Sequence, residues 1–244
     1  TRIETAKKLY DNCFEIVNKN GSSSKVSLLS SIAKLNLQMG EREESFKIFR
    51  SAIDIAEENM QIIGANFRIF LAYLYVGDYL SAVKEINNFE NSLVDSGFTE
   101  EEILKCEVGL ANYKAIIYAH ANQKERALEA LNSYKKFSTQ LIDLYGFKGD
   151  IDSQIKSLPG ANFIRWKEAS PMSQLWNEIW VNILVGEHQK AEALQDKYEK
   201  NYGNRLTHWE GVSNILQGNT EKGYNILERN TYGYMQYFKS QALI

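Results

Sequence analysis

Proline is almost missing from this chain. Its 244 residues hold two, Pro159 and Pro171. A proline inside a helix removes a hydrogen bond and clashes with the preceding turn, so its scarcity leaves room for long uninterrupted helices. Cysteine is equally rare: Cys13 and Cys106 stand far apart, outside any CxxC or Cys/His grouping. That spacing excludes a disulfide-dense scaffold and a zinc site, leaving two reduced thiols or one long-range disulfide. No apolar run is long enough to span a bilayer. No basic block appears, and the net charge is −3, which argues against a nucleic-acid footprint. GxSxG, Walker and HExxH motifs are absent. The three histidines, His120, His188 and His208, are dispersed. No catalytic constellation, cofactor or metal is therefore expected. The "DID" at 150–152 reads as a helix start rather than a metal-binding pair.

What is present is 44% hydrophobic and 24% charged residues, a balance that supports a buried core. The apolar residues follow a helical period broken by turn residues. Gly40, Gly77, Asn122, Gly186 and Gly218 each close one helical pattern and precede another. Each is a pivot, where a left-handed backbone conformation is expected. Five residues after the pivots stand small side chains: Ser45, Ala82, Ala127, Ala191 and Gly223. Seven before them stand Ala33, Ala115 and Gly211, with Phe70 and Ile179 as exceptions. Nine after stand Phe49, Ile86, Leu131 and Leu227, with Gln195 as the exception. Two antiparallel helices approach closely only where side chains are small. The pattern therefore predicts five helical hairpins, with the small positions at each crossing. One hairpin cannot bury both faces, so the hairpins must stack.

In this register the sequence resembles the tetratricopeptide repeat family. The resemblance rests on Ile32, Ala33, Gly40, Ser45, Phe49 and Ala52 in the first hairpin. It continues with Tyr73, Gly77, Tyr79 and Ala82 in the second and with Ala115, Tyr118, Asn122, Ala127 and Leu131 in the third. It covers about 26–140 and 173–230. The chain departs from the family by lacking the proline after each second helix and by its uneven pivot spacing. The resemblance implies an all-α, right-handed solenoid of about twelve helices. It also implies a concave groove lined by the first helix of each hairpin, which in this family binds protein or peptide segments.

The groove positions lie two, three, six, nine, ten and thirteen residues before each pivot. They yield a candidate partner-binding set: Lys34 and Gln38; Arg68 and Tyr75; Asn112, Tyr113 and His120; Trp176, Asn177 and Trp180; Arg205 and Trp209. Leu37, Phe67, Leu71, Ile116 and His208 share the same positions. Aromatic rings supply contact area, and Asn and Arg bond backbone or carboxylate groups. For each ring a place in the core is the competing reading. Only fragments match the family's clamp for a C-terminal carboxylate, which disfavours that ligand.

The expected organisation is an N-terminal subarray over 1–145, an irregular insertion or linker over 146–171, and C-terminal hairpins over 172–244. A short helix is expected around 150–157, and Thr99 with Glu102 predicts a capping box. Residues 2–19, with Ala6, Tyr10, Cys13 and Phe14, fit a leading helix that caps the array or continues a longer one. Residues 231–244 fit a terminal capping helix over Tyr232, Tyr234, Tyr237 and Phe238. Thr1 stands where Met would, so a trimmed N-terminus is expected, and the compartment stays open. The functional expectation is a non-catalytic protein- or peptide-binding scaffold or adaptor, with no nucleic acid and no membrane insertion. The alternative is a regulatory domain that responds to a ligand or signalling peptide.

Overall fold

The computed structural model describes residues 24–94, 96–158 and 166–228, with the isolated positions 5, 8, 12 and 15. Among these residues every regular element is a helix. They are α1 (Ser24–Gln38), α2 (Arg42–Asp54), α3 (Asn59–Tyr75), α4 (Tyr79–Leu93), α5 (Glu100–His120), α6 (Lys124–Leu144), α7 (Ile151–Ser157), α8 (Trp166–Ala169), α9 (Pro171–Leu184), α10 (His188–Tyr202), α11 (Thr207–Leu216) and α12 (Thr220–Leu227). The expected terminal helix and the residues Ala6, Tyr10, Cys13 and Phe14 lie outside the described residues. Thr5, Lys8, Asn12 and Glu15 are helical and exposed.

The five expected hairpins are α1/α2, α3/α4, α5/α6, α9/α10 and α11/α12, and each pair packs together. All five pivots have positive φ: Gly40 84°, Gly77 73°, Asn122 56°, Gly186 81° and Gly218 83°. The turns share one closure. The N–H after the pivot donates to the carbonyl four before it, as in Glu41 to Asn36 (2.9 Å) and Asn219 to Asn214 (2.8 Å). The pivot's own N–H donates to the carbonyl three before it, as in Gly77 to Leu74 (3.1 Å). This pair of bonds is the Schellman motif, which satisfies the orphaned carbonyls of a helix end and needs a left-handed residue where the pivot stands.

The small positions meet at the crossings as the register predicts. The Ser45 hydroxyl donates to the Ala33 carbonyl at 2.6 Å. In the fifth hairpin a Cβ built on Gly223 would fall 2.6 Å from the Gly211 carbonyl oxygen and 2.9 Å from the Ile215 nitrogen. The two glycines thus stand where the helix backbones nearly touch, which offsets their unfavourable helix propensity. The positions nine after the pivot are all buried, Gln195 included.

The contacts divide the chain into two compact units, Thr1–Phe98 and Thr99–Ile244. In the first, α1 packs on α3 and α2 on α3. Its core holds one cluster of Val26, Leu29, Ala52 and Ala65 and a set of ring contacts among Phe67, Phe70 and Phe89. Arg42 and Arg50 on α2 donate to Asp78 (2.9 Å) and Glu85 (2.7 Å) of the next hairpin. In the second unit α5 is buried nearly all round. It packs on α9, which packs on α11. The Thr99–Glu102 capping box opens α5 as expected: the Glu102 N–H donates to Thr99 Oγ1 (3.2 Å) and the Thr99 N–H to Glu102 Oε2 (2.9 Å).

The segment 146–171, read from the sequence as insertion or linker, contains α7. Asp150 caps it by accepting the Ser153 N–H (3.1 Å), so "DID" is a helix start. Asp152 then accepts the Met172 N–H and the Tyr202 hydroxyl, both at 3.1 Å. Through one carboxylate α7 is tied to the start of α9 and the end of α10.

Candidate binding face

Positions thirteen, nine, six and two before the pivot recur on one face of each first helix, because steps of four, three and four residues nearly complete whole turns. In the first unit this register gives Ser27, Ser31, Lys34 and Gln38 on α1. On α3 it gives Gly64, Arg68, Leu71 and Tyr75. The packing of α1 on α3 sets the two rows side by side, and Arg68 joins them by donating to the Ser27 hydroxyl at 3.4 Å. Lys34 and Gln38 are exposed, and Leu71 and Tyr75 are 44% and 58% exposed. Two large apolar side chains one turn apart, beside a lysine and an arginine, make an open strip.

In the second unit the two middle positions of this register are closed. Tyr113 and Ile116 on α5, Asn177 and Trp180 on α9, and Trp209 and Val212 on α11 are all buried. The rings fill the space between the first helices. Trp180 stacks on Trp209 (centroids 4.9 Å apart, planes at 28°), and Trp176 meets both edge-on at 5.1 Å. His208 lies 5.2 Å from Trp209, and His120 lies 6.3 Å from Trp180, edge to face. Burial lowers the pKa of both histidines, that of His120 to about 4. An imidazole in such a site is neutral at neutral pH.

The twelve candidate residues therefore separate. Lys34 and Gln38 are exposed on α1, and Arg68 and Tyr75 lie on α3, which packs on it. His120, Trp176, Trp180 and Trp209 come together as an aromatic cluster in which Trp209 is completely buried and Trp176 half-buried. For Trp180 and Trp209 the expected groove exposure gives way to the core. Asn112 and Tyr113 are interior residues of α5. Asn177 is interior too, donating to the Tyr134 hydroxyl at 3.2 Å. That hydroxyl in turn donates to the Glu168 carbonyl, so the pair fastens α6 to α8 and α9. Arg205 is occupied by carboxylates of α10: it donates to Asp196 (2.7 Å), Glu199 (3.4 Å) and Glu192. The bond to Asp196 leads the effects that raise its pKa.

Sequence reasoning left Ser27 and Ser31 unnamed, although the register that found Lys34 also reaches them. It also missed the acids that claim Arg205. Glu192, Asp196 and Glu199 recur at helical spacing on α10, just before the turn that carries Arg205. Among the described residues no group of His, Cys, Asp or Glu is placed to hold a metal ion, and no helix is long and apolar enough to cross a membrane.

The hairpins, their Schellman pivots and their small crossing residues define an all-α helical-repeat fold of the tetratricopeptide-like kind. No family model and no curated protein matches the chain. Among solved structures it is similar to a tetratricopeptide repeat protein from Parabacteroides merdae ATCC 43184. The two share 13% identity over 99% of this chain and 93% of that one, with a TM-score of 0.42.

Proposed function

We propose that this protein is a non-catalytic binding module for a protein or peptide segment, and that the segment lies on the strip formed by α1 and α3. The observation that carries this reading is the exposure of Leu71 and Tyr75 on α3, with Leu71 at a position that every hairpin of the second unit buries. An exposed apolar pair rimmed by polar groups is how an interaction surface differs from ordinary surface. Exposed rings and long cationic side chains are common anchors of such contacts.

The test is selection of a displayed random-peptide library on the intact chain, followed by affinity measurements on the selected peptides. Tyr75→Ala weakens binding about tenfold or more if this face is used, the usual effect of losing an aromatic anchor. Trp176→Phe, in the other unit, leaves the affinity unchanged. Selected peptides whose affinity is insensitive to Tyr75→Ala and Leu71→Ser contradict the proposal.

A further inference from the structure

The helix α7 is seven residues long, too short to persist without tertiary support. Of its seven side chains only Ile155 is buried. Most of its hydrogen bonds stay inside the segment. Asp150 accepts the Ser153 N–H, and the Gln154 amide donates to the carbonyls of Asp150 (3.1 Å) and Lys148. Asp152 alone reaches out. Among the described residues its carboxylate makes the only hydrogen bonds that α7 sends to other helices, one oxygen accepting the Met172 N–H and the other the Tyr202 hydroxyl. The first bond puts a negative charge at the first turn of α9, where the helix dipole favours it. The second puts it beside a ring pair, Tyr198 and Tyr202, with centroids 4.8 Å apart. Burial raises the pKa of both hydroxyls and the Asp152 charge raises it further, so Tyr202 stays protonated and remains a donor. The approach to α7 turns at two glycines of positive φ, Gly146 at 64° and Gly149 at 74°, and a Cβ at either would meet open space.

We infer that α7 is a hinged strap: Asp152 latches it across the start of α9 and the end of α10, and breaking that latch lets α7 swing on Gly146 and Gly149 while the hairpins stay folded. The hairpins hold their own contacts, since α9 packs on α10, α5 and α11 without the help of α7. Ile155 is the one apolar anchor that opening withdraws. The strap therefore opens with a free energy well below that of unfolding the unit. Opening uncovers the Tyr202 ring and the first turn of α9. A partner that binds there meets only the open form, so its apparent affinity scales with the open fraction. The strap belongs to the second unit and does not depend on the binding strip proposed for α1 and α3.

The experiment is hydrogen–deuterium exchange of the intact chain read by mass spectrometry, for the native sequence, Asp152→Asn and Tyr202→Phe. In the native chain the amides of 154–158 are expected to exchange about a hundredfold faster, or more, than those of α5 and α6. Asp152→Asn should speed the α7 amides about tenfold further. Tyr202→Phe removes one of the two bonds, keeps the ring, and should speed them about threefold. Neither variant should change the exchange of α5 and α6. Nitration of Tyr202 by tetranitromethane should rise in Asp152→Asn in step with α7 exchange. Exchange of α7 at the rate of α5 and α6, or acceleration of the whole unit by either variant, overturns the strap and makes α7 part of the cooperative core. Unchanged α7 exchange in both variants overturns Asp152 as the latch. Faster α7 exchange with unchanged nitration means that the helix frays in place, and overturns the swing.

Discussion

The two units use one register to opposite ends. In the first, the position six before the pivot holds Lys34 and Leu71, both exposed. In the second it holds Ile116, Trp180 and Val212, all buried. The backbone device is the same in both, down to the Schellman bonds at each pivot. The difference lies in what the first helices carry on that face. Bulky rings in the second unit pack across the gap and become core. Serine, lysine and glutamine in the first cannot fill it, and the face stays open. A repeat fold thus fixes where a binding surface could be, and side-chain volume decides which copies keep it.

The largest effect expected is for Trp209→Ala. A fully buried ring wedged against Trp176 and Trp180 costs about 3–5 kcal/mol when truncated. Tyr75→Ala, on the matching face of the first unit, costs less than about 0.5 kcal/mol. All four tryptophans lie in the second unit. Their fluorescence therefore follows that unit's urea unfolding, while far-UV circular dichroism follows both. Equal losses for the two variants break the comparison.

Next in size is Gly223→Leu. Its side chain would drive into the Gly211 carbonyl and the backbone of Ile215, costing about 3 kcal/mol and splaying the α11/α12 hairpin. Undiminished thermal stability of that variant would contradict the close crossing. Gly211→Ala should cost less, because the added methyl meets the side chains of Leu227 and Ile226 rather than backbone.

Acid should separate the units as well. All three histidines lie in the second unit. His120, buried and neutral, titrates near 4 when folded against about 6.5 unfolded. The unfolded chain binds the extra proton between those values. Stability is therefore fully present above pH 6.5 and lost as pH falls toward 4, by on the order of 1–3 kcal/mol. Urea unfolding followed by tryptophan fluorescence at pH 7 and pH 4.5 measures it. In His120→Phe the pH dependence should flatten.

One substitution in the second unit should act in the opposite direction. Gln195 is buried with its side-chain oxygen unsatisfied, at a position filled by Phe49, Ile86, Leu131 and Leu227 in the other hairpins. Gln195→Leu should stabilise by about 1 kcal/mol, read as a raised urea midpoint.

The hairpins were legible because their determinants are local. A turn residue, small residues at fixed offsets and a helical period can all be counted along the chain, and Gly211 with Gly223 marked a close crossing. The register also picks out Lys34, Gln38, Arg68 and Tyr75 on the first helices. Whether that face is open was not legible, because burial depends on what the neighbouring helix contributes. Nothing local to Asn177 foretells its bond to the Tyr134 hydroxyl, and nothing local to Trp209 tells ligand contact from core. Arg205 was the exception, since its three acids stand one face apart on the preceding helix.

The most direct test is hydroxyl-radical footprinting of the intact chain, alone and with a selected peptide. The account predicts that free Leu71 and Tyr75 are labelled readily while Trp209 is protected, despite the greater intrinsic reactivity of indole. Peptide should then protect Leu71 and Tyr75 and leave Trp209 unchanged. Labelling of Trp209 in the free chain, or protection by peptide at residues of the second unit alone, would contradict it.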